Sequence, residues 1–349
     1  MKAIVIDGPK QVRLADLPPP IAGPGEVLIR SHVVGICGSD VELYQGTRPE
    51  GFYRYPLIPG HEWSGEVAAL SEGVRGLAVG DRVVVEGFLS CGVCWNCRNG
   101  LTNLCEAGYD EIGFTRPGGL AEYVAVPARQ VHTLPAHASF QEAALLEPTA
   151  VVAQAFLHVQ PRAAETVVVI GDGTISLLAV QLAQLFSPGA LVMIGSHDDR
   201  LDIGKRLGAT QTINSKRNDP EQLIYALTQG RGADLVFEGG SRAVGVDLAI
   251  RLAKRGGTVL LEGIAGTGAE LSLESNVFVL KHLAVLGVFG ASSAAWTYAV
   301  QLFGAGLLRL APLITHRFAL SDYQSALDTV IARRAGALKV LLVHDEHEG

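Results

Sequence analysis

The run Thr166-Val167-Val168-Val169-Ile170 is apolar at every position after its first, with no alternation of polar residues. A strand of that kind is buried on both faces, which places it in a parallel sheet covered by helices. It leads directly into Gly171-Asp172-Gly173-Thr174-Ile175-Ser176. Beyond the glycines, Ile175, Leu178, Ala179 and Leu182 recur at i, i+3, i+4 and i+7, the period of a helix. Strand, glycine turn and helix in that order are the setting of a dinucleotide-binding turn, where the helix N-terminus faces a pyrophosphate. Gly171 and Gly173 fill the first two glycine positions and Thr174 and Ile175 open the helix. The third position is Ser176, a small residue where helix and strand must pack closely. Further strands are expected at 191–194, 212–213, 234–238, 258–262 and 285–289. Helices are expected near 199–207, 220–228, 242–254 and 294–304. The pattern predicts an α/β, doubly wound, six-stranded sheet.

The end of the second strand bears on coenzyme choice. An NAD enzyme places Asp or Glu there for the ribose 2′-hydroxyl, whereas NADP is accommodated without that acid and with a cation nearby. This chain reads Gly195-Ser196-His197-Asp198-Asp199-Arg200. Gly195 stands where the acid is expected. Ser196 can hydrogen-bond a 2′-phosphate, and His197, Arg200 or Lys216-Arg217 can offer charge. NADP is favoured, with NAD retained if Asp198 or Asp199 turns back to the ribose.

The N-terminal part has a different grammar. Residues 65–69 and 80–85 read as antiparallel strands around a glycine turn, as in a small barrel. Before them lies Gly35-Ile36-Cys37-Gly38-Ser39-Asp40, read as a loop, and between them Gly60-His61-Glu62. A catalytic zinc takes three protein ligands from S, N and O donors and keeps one position open. Cys37, His61 and Glu62 could be that set. The competing reading is a small buried Cys with a structural His and a solvated Glu. Cys91-x2-Cys94-x2-Cys97-x7-Cys105 is a stronger signal, four thiolates matching a closed structural zinc site. An iron–sulfur cluster is the alternative, but the two-cluster ferredoxin repeat is missing. Glu147 ends an apolar run after a Ser139-capped start. It is either a metal-shell acid or a residue emerging at a helix end before Pro148. Tyr44, Arg48, Tyr53 and Arg54 lie in a proline-rich stretch; they could line a polar substrate cleft, and the favoured reading is that they are solvated loop residues. At the C-terminal end a Ser321-capped helix, a strand at 339–343 and a polar tail from His344 are expected.

The net charge is −7, and no basic cluster exceeds Arg333-Arg334, which argues against nucleic acid or an anionic membrane as partner. No apolar run reaches the ~18 residues of a membrane span. The start reads as a strand rather than a signal peptide, so the expected compartment is the cytoplasm. Five cysteines, an odd number without a secretion signal, fit reduced thiols and metal better than disulfides.

Together these motifs, with Gly118-Gly119-x-Ala121-Glu122-Tyr123 and Glu147-Pro148, resemble the zinc-containing medium-chain dehydrogenase/reductase family, in its sorbitol, galactitol-1-phosphate, butanediol and threonine dehydrogenase branch. The resemblance implies a GroES-like antiparallel catalytic domain over 1–155 and 291–349, with a structural zinc lobe at 88–108. It implies a Rossmann domain over 156–290 and a homodimer or homotetramer paired through strand six. Two Zn2+ per chain are implied. One is held by Cys37, His61 and Glu62, with Glu147 reaching it directly or through water. The other is held by Cys91, Cys94, Cys97 and Cys105. Ser39 would hydrogen-bond the substrate oxygen and Arg200 would contact the adenosine side of the coenzyme. Two departures stand out. Glu42 replaces the His that many relatives carry at the outer end of a proton relay, and Gly290-Ala291-Ser292-Ser293 offers no Arg for substrate hydroxyls. The expected reaction is hydride transfer between a polyol- or sugar-like secondary alcohol, or its ketone, and a nicotinamide coenzyme. The alternatives are an NADPH-dependent reductase of a conjugated double bond and a non-enzymatic binding protein on the same scaffold.

Overall fold

The computed structural model describes residues 1–344 apart from 241, 267 and 333–335. The Arg333-Arg334 pair and the tail after His344 lie outside the described residues. The chain divides into two units, residues 1–150 with 291–349, and residues 151–290.

The first unit begins with the hairpin β1 (Lys2–Gly8) and β2 (Gln11–Asp16), then β3 (Glu26–Ile36). The side chains of β3 alternate between buried and half-buried over its first half, then are buried continuously. Residues 26–30 pair with β6 (Tyr123–Pro127), while residues 27–35 pair antiparallel with β4 (Glu62–Leu70). β5 (Arg82–Val85) and β7 (Val131–Thr133) extend the sheet. Trp63, Val67 and Val124 pack in its core. Helices α1 (Gly38–Gln45), α2 (Trp95–Arg98), α3 (Phe140–Ala143) and α4 (Leu146–His158) are inserted between or after these strands. Ser139 does cap a helix, its Oγ accepting from Glu142 N at 3.4 Å, but that helix is the single turn α3. Glu147 is therefore not at the C-terminal end of the helix that Ser139 caps. It opens α4, where Pro148 is tolerated because first-turn amides have no partner to lose.

The second unit is the six-stranded parallel sheet. Its strands are β8 (Thr166–Ile170), β9 (Ala190–Gly195), β10 (Gln211–Asn214), β11 (Ala233–Glu238), β12 (Ala253–Leu261) and β13 (Ala284–Gly287), in spatial order β10-β9-β8-β11-β12-β13. The order reverses between β8 and β11, the topological switch at which such sheets bind ligands. The crossovers are α5 (Thr174–Gln184), α6 (Asp198–Leu207), α7 (Pro220–Leu227) and α8 (Ala243–Leu252), with α9 (Asn276–Leu280) before β13. Val168, Val192, Val236 and Val259 form the core of the sheet, one from each of four neighbouring strands.

The chain then returns to the first unit with α10 (Ser293–Gly304), β14 (Ile314–Ala319), α11 (Tyr323–Ile331) and β15 (Lys339–Val343). β15 pairs antiparallel with the second half of β3, Val340 opposite Ile36 and Val343 opposite Val33. Asp322, not Ser321, occupies the cap position of α11, after a turn of 3-10 helix. His344 belongs to the fold rather than to a tail. It is buried, its Nε2 bonds Gly119 O at 2.9 Å and its amide donates to His32 O at 3.0 Å.

Candidate active site

Cys37 is not in a loop. It follows the last residue of β3 and caps α1, its Sγ accepting from Ser39 N at 3.4 Å while Asp40 Oδ2 accepts from Cys37 N at 2.9 Å. This is a capping box with sulfur in the place of the usual oxygen. The sulfur lies over first-turn amides, where the helix dipole favours negative charge. β3 and β4 run antiparallel with Gly35 opposite Glu62, so the end of one strand and the start of the next bring Cys37 to His61. Cys37 Sγ lies 3.1 Å from His61 Nε2 and 2.7 Å from Ser39 Oγ, and Ser39 Oγ is 3.4 Å from His61 Nε2. Donor atoms of Cys37, His61 and Glu62 all lie within 4.8 Å of one another. A Cβ on Gly35 would come within 2.4 Å of Glu62 Oε2, so only glycine leaves room for that carboxylate.

The surroundings are acidic. Lys339, the first residue of β15 and itself buried, forms an ion pair with Glu62 Oε2. Asp40 Oδ1 is 3.7 Å from His61 Nδ1, and neither atom has a hydrogen-bond partner among the described residues. Burial pushes the carboxyls of Asp40 and Glu111 above the ordinary range, against the pull of His61. Glu147 is pushed up to about 8 by burial, with Glu62 and Glu111 adding to the effect. Cys37, Asp40, Glu62 and Glu147 thus crowd around a single buried Lys, and Glu111 faces His61. A divalent cation would relieve that crowding, and the S, N and O donors are those zinc takes. The residues fit a catalytic zinc, with Glu147 beside the three-donor cluster rather than in it.

Next to His61 lies a polar group in which Arg48, read from the sequence as solvated, joins Tyr109 and Glu111, which sequence reasoning passed over. Phe114 packs on the His61 ring at 4.6 Å between centroids, and the Arg48 guanidinium sits 3.8 Å over Phe114. Arg48 donates to Tyr109 Oη at 2.9 Å and to Phe52 O at 2.9 Å, lies 3.5 Å from Glu42, and is mostly buried rather than solvated. Tyr109 in turn bonds the buried Glu111. Glu42 stands three residues after Ser39 on α1, on the same helix face. Lys339 was also missed, although a lone cation at the head of an apolar strand is a signal that it needs a partner.

In residues 91–105 the four cysteines surround one point. A tetrahedron with Zn–S bonds of ~2.3 Å has edges of about 3.8 Å, and Cys91 and Cys97 Sγ are 4.0 Å apart. Backbone amides point at the sulfurs, Cys91 N at Cys105 (3.3 Å), Cys94 N at Cys91 (3.4 Å) and Cys97 N at Cys94 (3.4 Å). These residues fit a structural zinc.

In the second unit Gly171 has φ +114°, a conformation open to glycine, and a Cβ there would lie 2.3 Å from Ser176 Oγ. The Ser176 hydroxyl is accommodated at the third position by donating to Ile170 O at 3.2 Å. Gly173 caps α5 with no side-chain bond, and a Cβ on it would meet nothing within 4 Å. Thr174 and Ile175 form the first turn of α5. Uncapped amides beside open space fit a dinucleotide phosphate. The carboxylate at the end of β9 does not come from that strand but from Asp172, within this turn. Its Oδ2 accepts from Ser196 N (2.6 Å), His197 N (3.0 Å) and Ser196 Oγ (3.3 Å) and lies 3.0 Å from His197 Nδ1; its Oδ1 is 3.5 Å from Arg200 Nη1. Asp198 is instead paired with Arg217 and accepts from Asn214.

Residues 23–136 match the family model of the alcohol dehydrogenase GroES-like domain, and residues 174–305 that of zinc-binding dehydrogenases. The chain is 34% identical to erythritol/L-threitol dehydrogenase of Mycolicibacterium smegmatis, over 98% of this chain and 97% of the relative. Among solved structures, a protein described as a zinc-binding dehydrogenase from Sinorhizobium meliloti 1021, bound to NADP, superimposes with TM-score 0.92 at 30% identity, over 98% of each chain. An alcohol dehydrogenase from Escherichia coli CFT073 complexed with NADH gives TM-score 0.90 at 29% identity, over 98% of this chain and 99% of that one. The chain belongs to the zinc-containing medium-chain dehydrogenase/reductase family, with a GroES-like sheet domain and a Rossmann domain, and is a zinc-dependent, NAD(P)-dependent oxidoreductase of alcohols and ketones.

Proposed function

We propose that the chain interconverts a polyol- or sugar-like secondary alcohol and its ketone, with two zinc ions per chain. Cys37, His61 and Glu62, with Glu147 nearby, would hold the catalytic ion, and Cys91, Cys94, Cys97 and Cys105 the structural one. The observation that carries this reading is the sulfur, nitrogen and carboxylate donors brought within 4.8 Å of one another beside the Ser39 hydroxyl. A zinc ion there supplies Lewis-acid polarisation of the substrate oxygen, and the nicotinamide coenzyme supplies the hydride acceptor. Ser39 Oγ takes the proton of the alcohol and hands it outward along α1 towards Glu42, which Arg48 orients. Asp40 holds the Cys37 end of α1 in place, and Lys339 holds the Glu62 carboxylate in position.

A hydroxyl-rich substrate is supported by the Arg48–Tyr109–Glu111 group beside Phe114 and His61, which offers donors and acceptors where an apolar alcohol would need neither. The name of the Mycolicibacterium relative points the same way. The test is a rate screen of zinc-loaded protein against secondary alcohols, polyols, sugar phosphates and amino-cyclitols, with each coenzyme. Turnover of a polyol, falling about 100-fold in Ser39→Ala, is the expected result. Metal analysis giving about one zinc per chain, with no alcohol turned over, would move the reading to double-bond reduction, since a closed site alone binds one ion.

The coenzyme is a nicotinamide dinucleotide. The NADP preference read from Gly195-Ser196-His197 depends on no acid reaching the ribose, and Asp172 bears on that directly. Self-association is proposed through β13, the edge strand of the parallel sheet, near which Val279, Leu280, Leu286 and Phe289 are exposed. An unprotected edge with apolar neighbours is a pairing surface, and a native mass of two or four chains is expected. No helix among the described residues is long and apolar enough to cross a membrane.

A further inference from the structure

We propose that Asp172, the middle residue of the Gly171-Asp172-Gly173 turn, is the carboxylate that reads the adenosine ribose, and that it makes this chain select NAD over NADP. The inference rests on the dehydrogenase reading above and goes beyond it.

Three observations carry it. First, the end of β9 has no room for an acid of its own. A Cβ built on Gly195 would lie 2.7 Å from Asp172 Cβ and 2.9 Å from Asp172 Oδ2. The carboxylate of Asp172 already occupies the place that a side chain at 195 would enter. The acid that Rossmann domains usually carry on the second strand is here delivered from the first glycine turn.

Second, the two carboxylate oxygens are used unequally. Oδ2 collects the amides of Ser196 and His197 and faces both their side chains. Oδ1 is approached by Arg200 Nη1 at 3.5 Å, a long contact that leaves it acceptor capacity. One oxygen fixes the group and the other remains able to accept from a ribose hydroxyl.

Third, the charges suit a hydroxyl better than a phosphate. Arg200 is buried and its guanidinium is turned to Asp172, so the cation that would hold a 2′-phosphate is already engaged. A 2′-phosphate would meet a carboxylate held in place by several donors, and like charges set against each other are the repulsive half of specificity. Lys216 and Arg217 do not reverse this, because Arg217 is paired with Asp198 and the charge of Lys216 acts on the same carboxylate.

Asp172 also satisfies amides at the start of α6. A purely structural role would weaken both coenzymes alike, whereas a reading role changes their ratio. The experiment is a fluorescence titration of zinc-loaded protein with NADH and with NADPH, in the wild type, Asp172→Asn and Asp172→Ala. The wild type should bind NADH at least about tenfold more tightly than NADPH. Asp172→Asn keeps the size and removes the charge, and should shrink that ratio by about tenfold or more. Wild type binding NADPH as tightly as NADH overturns the proposal, as does an Asn variant that shifts both equally. If the variants do not fold, displacement of NADH from the wild type decides. ADP-ribose should compete at least about tenfold better than its 2′-phosphate, and equal competition overturns the proposal. Failure of both dinucleotides to bind removes the dehydrogenase reading as well, while tighter NADPH removes this inference alone.

Discussion

The two metal centres proposed for the first unit are built in opposite ways. The lobe draws four identical donors from residues 91–105, held by one turn of helix and one 3-10 turn, with Val93 and Trp95 exposed beside them. The other centre draws on the ends of β3 and β4, on α4 and on β15, and lies among buried acids. Four sulfurs saturate a tetrahedral ion, and among the described residues no hydroxyl like that of Ser39 is bonded to the lobe's sulfurs. Its metal can only hold chain together. Three unlike donors leave a coordination position open and sit beside Ser39, Asp40 and Glu147, groups that hold or pass protons. The difference teaches that the chemistry follows from the mixture of donors and their long-range assembly. The number of cysteines does not determine it.

The comparison breaks most readily at the lobe. Cys97→Ala should lose the structural ion and with it local folding energy on the order of 10 kcal/mol, the scale of small zinc domains. The readouts are zinc content and protease cutting within 91–105, and kcat in the cold should stay within about twofold. Collapse of kcat with an intact, protease-resistant lobe would show that the two centres do not divide the work. Cys37→Ala is the converse. It should lower kcat by about 1,000-fold or more, roughly 4 kcal/mol of barrier, while the melting temperature moves little. Retained turnover would sink the mechanism.

A smaller effect sharpens the account of the open centre. Lys339→Met strands the Glu62 carboxylate and should cost about 3 kcal/mol, a fall in melting temperature of roughly 6–12 °C for a unit of this size. Adding Glu62→Gln should recover part of the loss, and simple additivity of the two changes would argue against the pair. The smallest effect comes from a buried acid outside either centre. Burial pushes Glu238 up to about 7, and its Oε2 has no hydrogen-bond partner among the described residues. Its folded value is raised, so the stabilising contribution is full below the unfolded value near 4.5 and is lost as pH rises through about 7. Glu238→Gln should flatten the stability profile between those values by on the order of 1–3 kcal/mol. Chelation should leave that slope unchanged, in contrast to both metal centres.

Much of this was legible in the residues because the signals are local. The apolar run before Gly171, the two glycines and the four-cysteine spacing each lie within one short stretch, and the helices of the parallel sheet fell close to their expected places. What was not legible depended on distance or on an ambiguous residue. The helix after Cys37 was hidden because sulfur is not among the usual cap acceptors. Pro148 serves as a stop signal and as a first-turn residue alike, so the apolar run before it read as a helix ending rather than one beginning. The ion pair of Lys339 with Glu62 joins positions 277 residues apart. Asp172 lies 24 residues before the serine it holds, so the missing acid at Gly195 looked like an absence when only the second strand was read.

The late position of β15 has a consequence for how the chain is made. Domains tend to form from the N-terminus as the chain is synthesised, and here residues 151–290 intervene before the first unit can be completed. Until Lys339 leaves the ribosome, β3 lacks β15 over its second half and Glu62 has no cation beside it. The parallel sheet can therefore mature while the active centre is still an unfinished acidic pocket. A nascent chain stopped short of residue 339 should accumulate with one unit folded and the other waiting.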